Sequence, residues 1–379
     1  MKVALNASAL LSPRTGIGQY ANALATELLK TGAVDLEFFY GFGWSRELRS
    51  EPLRHIDAVK TSIKKLIPWS YEIVRFLTQV SFTAGARRKG FDLYHEPNFL
   101  AYEFEGPLVL TVHDLSFVRY PELHPAARIE AIARHFPKSL ARASIVLTDA
   151  ESVRGEVLER YGLRPERVRS VPLGARPEFC ERSPEQIAAT LEKFGLRHRG
   201  YLLSVGTLEP RKNIAFVLDA FARLPEKIRR QFPVALVGME GWLNSDLDRR
   251  MRPLVERGEV RLLGYLSDNE LQHLYAGASL FIYPSLYEGF GLPALEAMQC
   301  GVPVIVSNVS SLPEVVGEAG VKIDPADTDA LTMHIERLLD DRNEWQRLRL
   351  LGLDQAKRFS WQKCASETLL AYRDAVSLG

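Results

Sequence analysis

Two glutamates, Glu288 and Glu296, stand eight positions apart, and the segment around them carries much of the chemistry that this chain suggests. The apolar run 280–283 just before them predicts a buried strand, and the glycines of 289–292 predict a tight turn into a helix. Carboxylates beside such a turn are suited to accept hydrogen bonds from the hydroxyl groups of a ligand.

The start of the helix after this turn favours an anion. Pro293 suits the first helical position because its missing N–H costs nothing there, so we expect Leu292 to be the N-cap. Leucine has no side-chain oxygen for the first N–H groups of the helix, which leaves these donors for water or for a phosphate. With Glu288 before the turn and Glu296 in the first turn, the segment indicates a phosphorylated sugar as ligand.

A second turn, residues 209–213, follows the strand predicted over 201–205. Asn213 is expected to cap the next helix, which puts Arg211 and Lys212 at a strand-to-helix turn. A solvated charge cluster is one explanation. Because cations disfavour a helix N-terminus, however, their position favours a function, namely neutralisation of a leaving diphosphate.

The first half of the chain offers a dinucleotide-like glycine pattern in Gly16, Gly18 and Ala21. The loop 7–15 is long for a tight strand-to-helix turn, however, and Asp35 falls at the start of the second strand, whereas ribose binding needs an acid at its end. We therefore reject NAD binding on geometry.

Asp327 and Asp329 form a DxD pattern, which some sugar transferases use to bind a divalent cation. Here the pattern opens a predicted helix over 330–339. Asp327 is expected to be its N-cap and Asp329 a partner of the helix dipole, so we assign no metal site.

The segment 288–296 resembles the E-x7-E motif of family 4 glycosyltransferases, which are retaining enzymes with the two-domain GT-B fold. Further blocks resemble that family in its order across nearly the whole chain, at 15–20, 112–114, 206–213 and 260–265. The resemblance implies that Glu296 holds the ribose hydroxyls of a nucleotide and that Glu288 contacts the transferred sugar. It also implies ligand contacts by the turn Gly289, Phe290, Gly291 and Leu292.

The resemblance implies roles for residues outside this turn as well. Tyr265 and Leu266 would flank the base. His113, which ends the strand predicted over 108–112, would approach the donor sugar near the reacting carbon. Gly16 and Gly18 would let backbone N–H groups approach the donor phosphate or the acceptor.

Short apolar runs separated by helical patterns recur in two series, which is typical of parallel α/β sheets. We predict two Rossmann-like doubly wound domains that face each other across a cleft, 1–175 on the acceptor side and 200–359 on the nucleotide-sugar side. Residues 176–199 are expected to be a linker with a short helix. The amphipathic helix at 360–379 is expected, by the resemblance, to pack back on the first domain.

The predicted strands of the first series are 3–6, 36–39, 91–94, 108–112, 144–147 and 168–171, and those of the second are 201–205, 234–237, 260–263, 280–283, 302–306 and 321–323.

Length and composition narrow the class of protein. With 379 residues the chain exceeds the usual size of a single core, and its net charge of +1 argues against general nucleic-acid binding. The three cysteines show neither a CxxC pair nor metal-ligand spacing, which fits a reducing compartment. We find no signal-peptide pattern and no apolar run near the ~20 residues that span a bilayer, so we expect a cytoplasmic protein.

Residues 60–89 mix basic side chains with aromatic and aliphatic ones. Such a patch suits an anionic lipid surface, although ordinary amphipathic helices share the pattern. Any membrane contact is therefore expected to be peripheral, on the inner face.

We predict a retaining hexosyltransferase that moves mannose from GDP-mannose to a hydroxyl of a growing, lipid-linked glycan, without a metal cofactor. The preference for mannose rests on resemblance, including that of residues 92–98, to mannosyltransferases of bacterial surface polysaccharide such as O-antigen; UDP-sugars stay open. The alternatives are a sugar-nucleotide epimerase of similar two-domain shape and a non-enzymatic sugar-binding module.

Overall fold

A computed structural model describes residues 1–11, 16–49, 70–239 and 245–378. The chain divides into two compact units, one formed by Met1–Leu173 with Trp361–Gly379 and the other by Gly174–Ser360. Residues 60–69 of the basic patch and Thr15 of the glycine block lie outside the described residues.

The strands of the first unit are β1 (Lys2–Asn6), β2 (Asp35–Phe39), β3 (Trp44–Ser45), β4 (Leu93–Glu96), β5 (Leu108–Val112), β6 (Ile145–Thr148) and β7 (Val168–Ser170). They form one sheet in the order β3-β2-β1-β4-β5-β6-β7, in which only the short β3 runs antiparallel to its neighbour. Strands that are buried on both faces, as β5 is, explain the continuous apolar runs.

The strands of the second unit are β8 (Leu202–Val205), β9 (Val234–Val237), β10 (Val260–Gly264), β11 (Leu280–Tyr283), β12 (Val304–Ser307) and β13 (Gly320–Ile323). They form a parallel sheet in the order β10-β9-β8-β11-β12-β13. The apolar residues on one face of this sheet, among them Leu236, Ile282 and Ile305, pack with those of the helices that cover that face in one continuous core.

The helices of the first unit are α1 (Gly16–Thr31), α2 (Ser70–Lys89), α3 (Ser116–Arg119), α4 (Ala126–Arg142), α5 (Glu151–Tyr161) and, at the end of the chain, α15 (Trp361–Ser377). Those of the second unit are α6 (Pro184–Lys193), α7 (Ile214–Arg223), α8 (Glu226–Gln231), α9 (Ser245–Glu256), α10 (Asp268–Gly277), α11 (Leu292–Gln299), α12 (Leu312–Val316), α13 (Thr328–Asp340) and α14 (Arg342–Ala356).

Each predicted strand overlaps an observed one, with shifts at the ends. The largest shift is in β4, which was expected over 91–94 and instead includes His95 and Glu96. Both side chains are polar but buried, because His95 bonds to Tyr372 and Thr111 and Glu96 bonds to Asn6 and Tyr94. Because these two residues are polar, the apolar pattern in the sequence did not include them in the predicted strand.

The stretch 176–199, expected as a linker, lies within the second unit, where α6 packs on α10. The last helix, α15, lies in the first unit and packs on α1. Two polar contacts hold it there, His95 Nδ1 to the Tyr372 hydroxyl at 2.6 Å and Arg169 Nη2 to Asp374 Oδ2 at 2.6 Å. Among the described residues, none of the helices is long and apolar enough to cross a membrane.

Candidate active site

The carboxyl ends of β8 and β11 hold the predicted cations and the first predicted glutamate. The order of the second sheet reverses between these strands, so their following loops diverge and leave a crevice where ligands bind in such folds. Arg211 and Lys212 lie in the loop after β8, and Glu288 lies in the loop after β11. The topology thus brings together side chains 76 and 77 positions apart in the chain.

Glu288 is the centre of this cluster. Its Oε1 accepts hydrogen bonds from Lys212 Nζ at 2.6 Å and from the Tyr283 hydroxyl at 2.8 Å, and its Oε2 accepts one from Arg211 Nη1 at 3.2 Å. The residue is only 8% exposed. Two cations and a tyrosine therefore hold a buried carboxylate in one orientation.

The charges of the cluster keep Glu288 ionised. Burial would raise the pKa of its carboxyl group, but Lys212 and Arg211 outweigh that effect and lower the pKa of Glu288 to about 2. Burial lowers the pKa of Lys212 below its ordinary value; Glu288 opposes this shift and Arg211 adds to it. Glu288 thus offsets part of the positive charge of both cations.

Arg211 is oriented from three sides. Its Nη2 and Nε donate to Glu209 Oε1 at 2.7 and 3.1 Å, and its Nη1 also donates to the Tyr287 carbonyl at 2.7 Å. The charges of Glu209, Arg211, Lys212 and Glu288 cancel in the absence of ligand. The guanidinium is thus fixed in place by protein groups alone.

The turn that carries the two cations differs from the predicted one. Residues Pro210–Lys212 form a short 3-10 helix, and Asn213 joins it to α7 in the left-handed region, at φ +57. Asn213 occupies the N-cap position of α7, but its side chain does not cap the helix and donates instead to the Pro325 carbonyl at 2.9 Å. The predicted side-chain cap was therefore wrong, since asparagine here serves the turn between two helices.

The start of α11 also differs by one residue from the prediction. Gly291, not Leu292, is the N-cap, with φ +111, and the Ala294 and Leu295 amides donate to its carbonyl. Glu296 is therefore the fifth residue of α11 and lies beyond its first turn. The prediction that no side chain caps this helix is confirmed.

Gly291 is required at this position for two reasons. Its φ of +111 is costly for any residue with a Cβ, and a Cβ built there would lie 2.6 Å from Leu312 Cδ2. The turn 289–291 thus approaches α12 as closely as a backbone can.

Two serines that the sequence analysis missed hold the loop after β11. Ser310 Oγ accepts a hydrogen bond from the Glu288 amide at 3.0 Å, and Ser310 itself adopts φ +53. Ser311 Oγ lies 2.9 Å from the Glu288 carbonyl and 2.7 Å from that of Phe290, so it donates to both. No local pattern marks these serines, because their partners lie more than 20 positions away.

Glu296 lies in a different environment from Glu288. It is 6% exposed, and Arg176 Nε lies 3.7 Å from its Oε1, while Arg176 Nη1 also pairs with Asp268 at 2.9 Å. Burial raises the pKa of Glu296 to about 7, although Arg176 lowers it in part. Arg176 was missed because it falls in the stretch expected to be a linker.

The residues predicted to flank the base stand at the end of β10. Tyr265 is 67% exposed, whereas Leu266 is buried. Phe290 is buried too and its ring packs on Phe359, with ring centroids 5.6 Å apart. Tyr265 thus presents a ring to solvent, whereas the ring of Phe290 is turned into the protein.

The remaining predicted residues belong to the first unit. Gly16 and Gly18 lie in the first turn of α1, where Gly16 is exposed and Gly18 is buried. The largely covered imidazole of His113 has both nitrogens engaged, Nδ1 with Asp149 Oδ2 at 2.7 Å and Nε2 as donor to the Pro97 carbonyl at 2.9 Å. Burial would lower the pKa of His113, but the Asp149 carboxylate outweighs it and raises the pKa.

The DxD pattern is structural in the way predicted for Asp327. Its carboxylate accepts a hydrogen bond from the Ala330 amide at 2.9 Å and so caps α13. Asp329 forms an ion pair with Arg223.

Comparison with known proteins places this geometry in a family. The model described as Glycosyl transferases group 1 matches residues 189–350, and the one described as Glycosyltransferase Family 4 matches residues 14–179. O-antigen chain mannosyltransferase B of Escherichia coli is 36% identical over 381 residues, which cover 98% of this chain and 100% of that protein. MMP alpha-(1->4)-mannosyltransferase of Mycolicibacterium hassiacum is 30% identical over 429 residues, with 97% and 98% covered.

A solved structure shows the same fold. HepE of Anabaena, crystallised with UDP and glucose, matches with a TM-score of 0.73 at 18% identity, covering 98% of each chain. Two units of this kind, each built on a parallel sheet, are the GT-B fold. The chain belongs to the family 4 glycosyltransferases, so the predicted family, fold and hexosyltransferase class are confirmed. Membership of this family argues against the two alternative functions, a sugar-nucleotide epimerase and a non-enzymatic sugar-binding module.

Proposed function

We propose that this enzyme transfers mannose from GDP-mannose to a hydroxyl of a growing, lipid-linked glycan, with retention at the anomeric carbon and without a metal ion. The observation that carries the proposal is the pairing of Lys212 and Arg211 with Glu288 at the switch point of the second sheet. That both full-length relatives named above are mannosyltransferases supports mannose as the sugar.

The leaving group is stabilised by fixed positive charge. Breaking the anomeric bond builds negative charge on the diphosphate, and nucleotides in such folds bind where Lys212 and Arg211 lie. The N-terminus of α11, which no side chain caps, adds the positive end of a helix dipole. These groups do the work that a divalent cation does in metal-dependent transferases.

Glu288 balances the positive charge that develops on the donor sugar. A diphosphate that reaches Lys212 and Arg211 shares them with Glu288, which stays ionised because its pKa is about 2. An ionised carboxylate beside the donor sugar stabilises the positive charge that grows on the anomeric carbon. The acceptor hydroxyl then attacks the face from which the diphosphate leaves and gives its proton to the departing phosphate oxygen, in line with the phosphate-assisted, same-face attack that the family resemblance implies.

The nucleotide is held in the second unit. Glu296 accepts hydrogen bonds from the ribose hydroxyls, oriented by Arg176, and the exposed ring of Tyr265 covers the base with Leu266 below it. In the first unit we assign the acceptor side. Since both nitrogens of His113 are already engaged, its role is to position the strand end and to contribute charge, not to carry a proton to the sugar.

We also propose that α2 contacts the membrane that holds a lipid-linked acceptor. Ile73, Phe76, Leu77 and Val80 share one face at helical spacing, and each is about half exposed or more, with Phe76 at 66%. The last turn of the same helix carries Arg87, Arg88 and Lys89. An apolar face with basic residues at its end suits an anionic bilayer surface.

The donor and the stereochemistry are tested together. The purified enzyme is incubated with GDP-mannose, or with UDP-glucose, and a short mannoside acceptor in excess chelator, and the products are analysed by mass spectrometry and NMR. We expect transfer from GDP-mannose with an α linkage. Equal transfer from UDP-glucose would overturn the donor assignment, and a β linkage would overturn retention.

A further inference from the structure

The opposite edge of the second sheet holds a cavity unrelated to the switch-point cluster. The cavity is lined by residues that precede three strands, Arg199 before β8, Phe232 before β9 and Ser279 before β11. Arg211 and Glu288 follow their strands. The two places are therefore separated by the length of a four-residue strand, roughly 13 Å at about 3.3 Å per residue.

The cavity has a volume of about 710 Å³, within the range of small-molecule sites. Its polar and aromatic lining comes from the loop before β8, the residue before β11 and the start of α14: His198, Arg199, Ser279, Arg342, Trp345 and Arg349.

The lining carries excess positive charge. Arg349 is paired with Glu181, whose Oε1 lies 2.9 Å from Arg349 Nε. Within the described part of the chain, Arg199 and Arg342 have no carboxylate partner. Among the three guanidinium groups that line the cavity, only that of Arg349 is paired with a carboxylate.

Arg199 is held in an unusual way. Its backbone lies in the left-handed region, at φ +55, and its guanidinium carbon stands 3.9 Å from the ring centroid of Trp345. The ring is fixed in turn, since Trp345 Nε1 donates to the Ser279 carbonyl at 2.8 Å. Burial and the charge of Arg349 lower the pKa of Arg199 to about 10, although Glu181 opposes this.

Two buried polar atoms at this cavity lack a hydrogen-bond partner among the described residues. They are Arg199 Nη1 and the hydroxyl of Ser279, a residue only 4% exposed. Buried donors without partners are rare in native proteins, and an unseen ion or water is a common explanation. Both atoms belong to residues that line a cavity with excess positive charge, which favours an anion.

We propose that this cavity is a second ligand site, which binds the phosphate group of a small molecule between Arg199, Ser279 and Arg342. Phosphate has enough oxygens to accept from a hydroxyl and two guanidinium groups at once, and the planar fork of arginine matches its geometry. The phosphate is either free or part of a sugar phosphate, since both present the same oxygens.

The test uses the full chain with its switch-point cations removed, Arg211→Ala with Lys212→Ala, so that phosphate cannot bind there. Inorganic phosphate and mannose 1-phosphate are titrated by calorimetry at constant ionic strength. We expect binding, and we expect Arg342→Ala in this background to weaken it by about tenfold or more, as the loss of a charged hydrogen bond implies. Arg342 is exposed, so this variant keeps the fold.

Arg252→Ala is the control, because Arg252 is an exposed arginine of the same unit that is paired with Asp248, and it should leave the affinity unchanged. Trp345→Phe should abolish any phosphate-dependent change in fluorescence. Binding of mannose 1-phosphate without binding of inorganic phosphate identifies a sugar phosphate as the ligand. Equal binding of the two compounds identifies free phosphate as a sufficient ligand. Absence of binding, or equal affinity in the Arg342→Ala and Arg252→Ala variants, overturns the proposal.

Discussion

Lys212 Nζ lies 2.6 Å from Glu288 Oε1, so the lysine proposed to meet the donor diphosphate is already paired with the carboxylate proposed to face the donor sugar. Arg211 joins the same carboxylate from its other oxygen, at 3.2 Å. The proposed function therefore assigns the cations and the carboxylate of one ion-pair cluster to the two opposite charges that separate in the reaction. Because Glu288 belongs to this cluster and Glu296 does not, the roles of the two glutamates can be separated experimentally.

Glu288→Gln should lower turnover while leaving the affinity for bare GDP unchanged or slightly higher, because an amide no longer competes for the two cations. Glu296→Ala should instead weaken GDP by about 1 to 3 kcal/mol, the range for a hydrogen bond to a charged group. Calorimetry with GDP, followed by transfer assays, measures both effects.

Glu209→Gln is the matched control for this comparison, since it removes a carboxylate from Arg211 and leaves Lys212 untouched. If Glu288→Gln weakens GDP as much as Glu296→Ala does, Glu288 is a nucleotide ligand and the division of roles is wrong.

Replacement of either cation should slow transfer strongly. Lys212→Ala or Arg211→Ala should cost about 2 to 4 kcal/mol of transition-state stabilisation, by analogy with the loss of an oxyanion donor. The wild-type rate should persist in excess EDTA. Lys193→Ala, which removes an exposed lysine paired with Glu270, should have no effect. Activity that is lost to EDTA and restored by magnesium would show that a metal does this work.

The pKa of about 7 for Glu296 predicts that the stability of the protein and its affinity for the donor change in opposite directions with pH. Its folded-state pKa lies above the ordinary value, so its contribution to stability is complete at low pH and is lost as the pH rises through 7. The ribose needs the ionised form, so the affinity for GDP-mannose should fall by about tenfold from pH 8 to pH 6. Glu296→Gln should flatten both profiles, measured by calorimetry and by urea unfolding. A wild-type affinity that does not change with pH would contradict the assignment.

Gly291→Ala should destabilise the protein by about 1 to 3 kcal/mol, because alanine is strained at φ +111 and meets Leu312. The substitution should also weaken nucleotide binding, since the loop must shift. Gly155→Ala, at an exposed position inside α5 with open space around it, should stabilise by about 0.5 to 1 kcal/mol. Thermal unfolding with and without GDP checks both. Small effects of equal size for Gly291→Ala and Gly155→Ala would mean that the backbone of the turn at Gly291 is not constrained.

Phe76→Ser should weaken binding to vesicles that contain phosphatidylglycerol by about tenfold, as expected for a phenylalanine that no longer enters the bilayer. Co-sedimentation at low and high salt measures this, and high salt should weaken binding further. Leu350→Ser is the control, because Leu350 is an exposed leucine of α14 in the other unit. Equal effects of both substitutions would exclude a specific α2 surface.

Much of the fold was predictable because neighbours in sequence decide it. Apolar runs such as 234–237 and 280–283 became strands with the predicted bounds, since burial on both faces demands continuous apolar side chains. The absence of a side-chain cap on α11 also followed from residue type alone. Boundaries were less certain: a glycine with positive φ displaced the start of α11 by one residue, and buried polar side chains concealed the end of β4.

The spacing of Glu288 and Glu296 around a turn and a helix start, which are local features, indicated a phosphorylated sugar as ligand, and the family resemblance added the nucleotide. The partners of those glutamates were not predictable. Lys212 reaches Glu288 only because β8 and β11 are adjacent in the sheet, and Arg176 reaches Glu296 from a stretch that looked like a linker. Strand order results from the packing of the whole unit, so contacts across 76 or 120 positions leave no mark on any local pattern. The tertiary structure alone therefore decided which carboxylate is held ionised by cations and which titrates near neutrality.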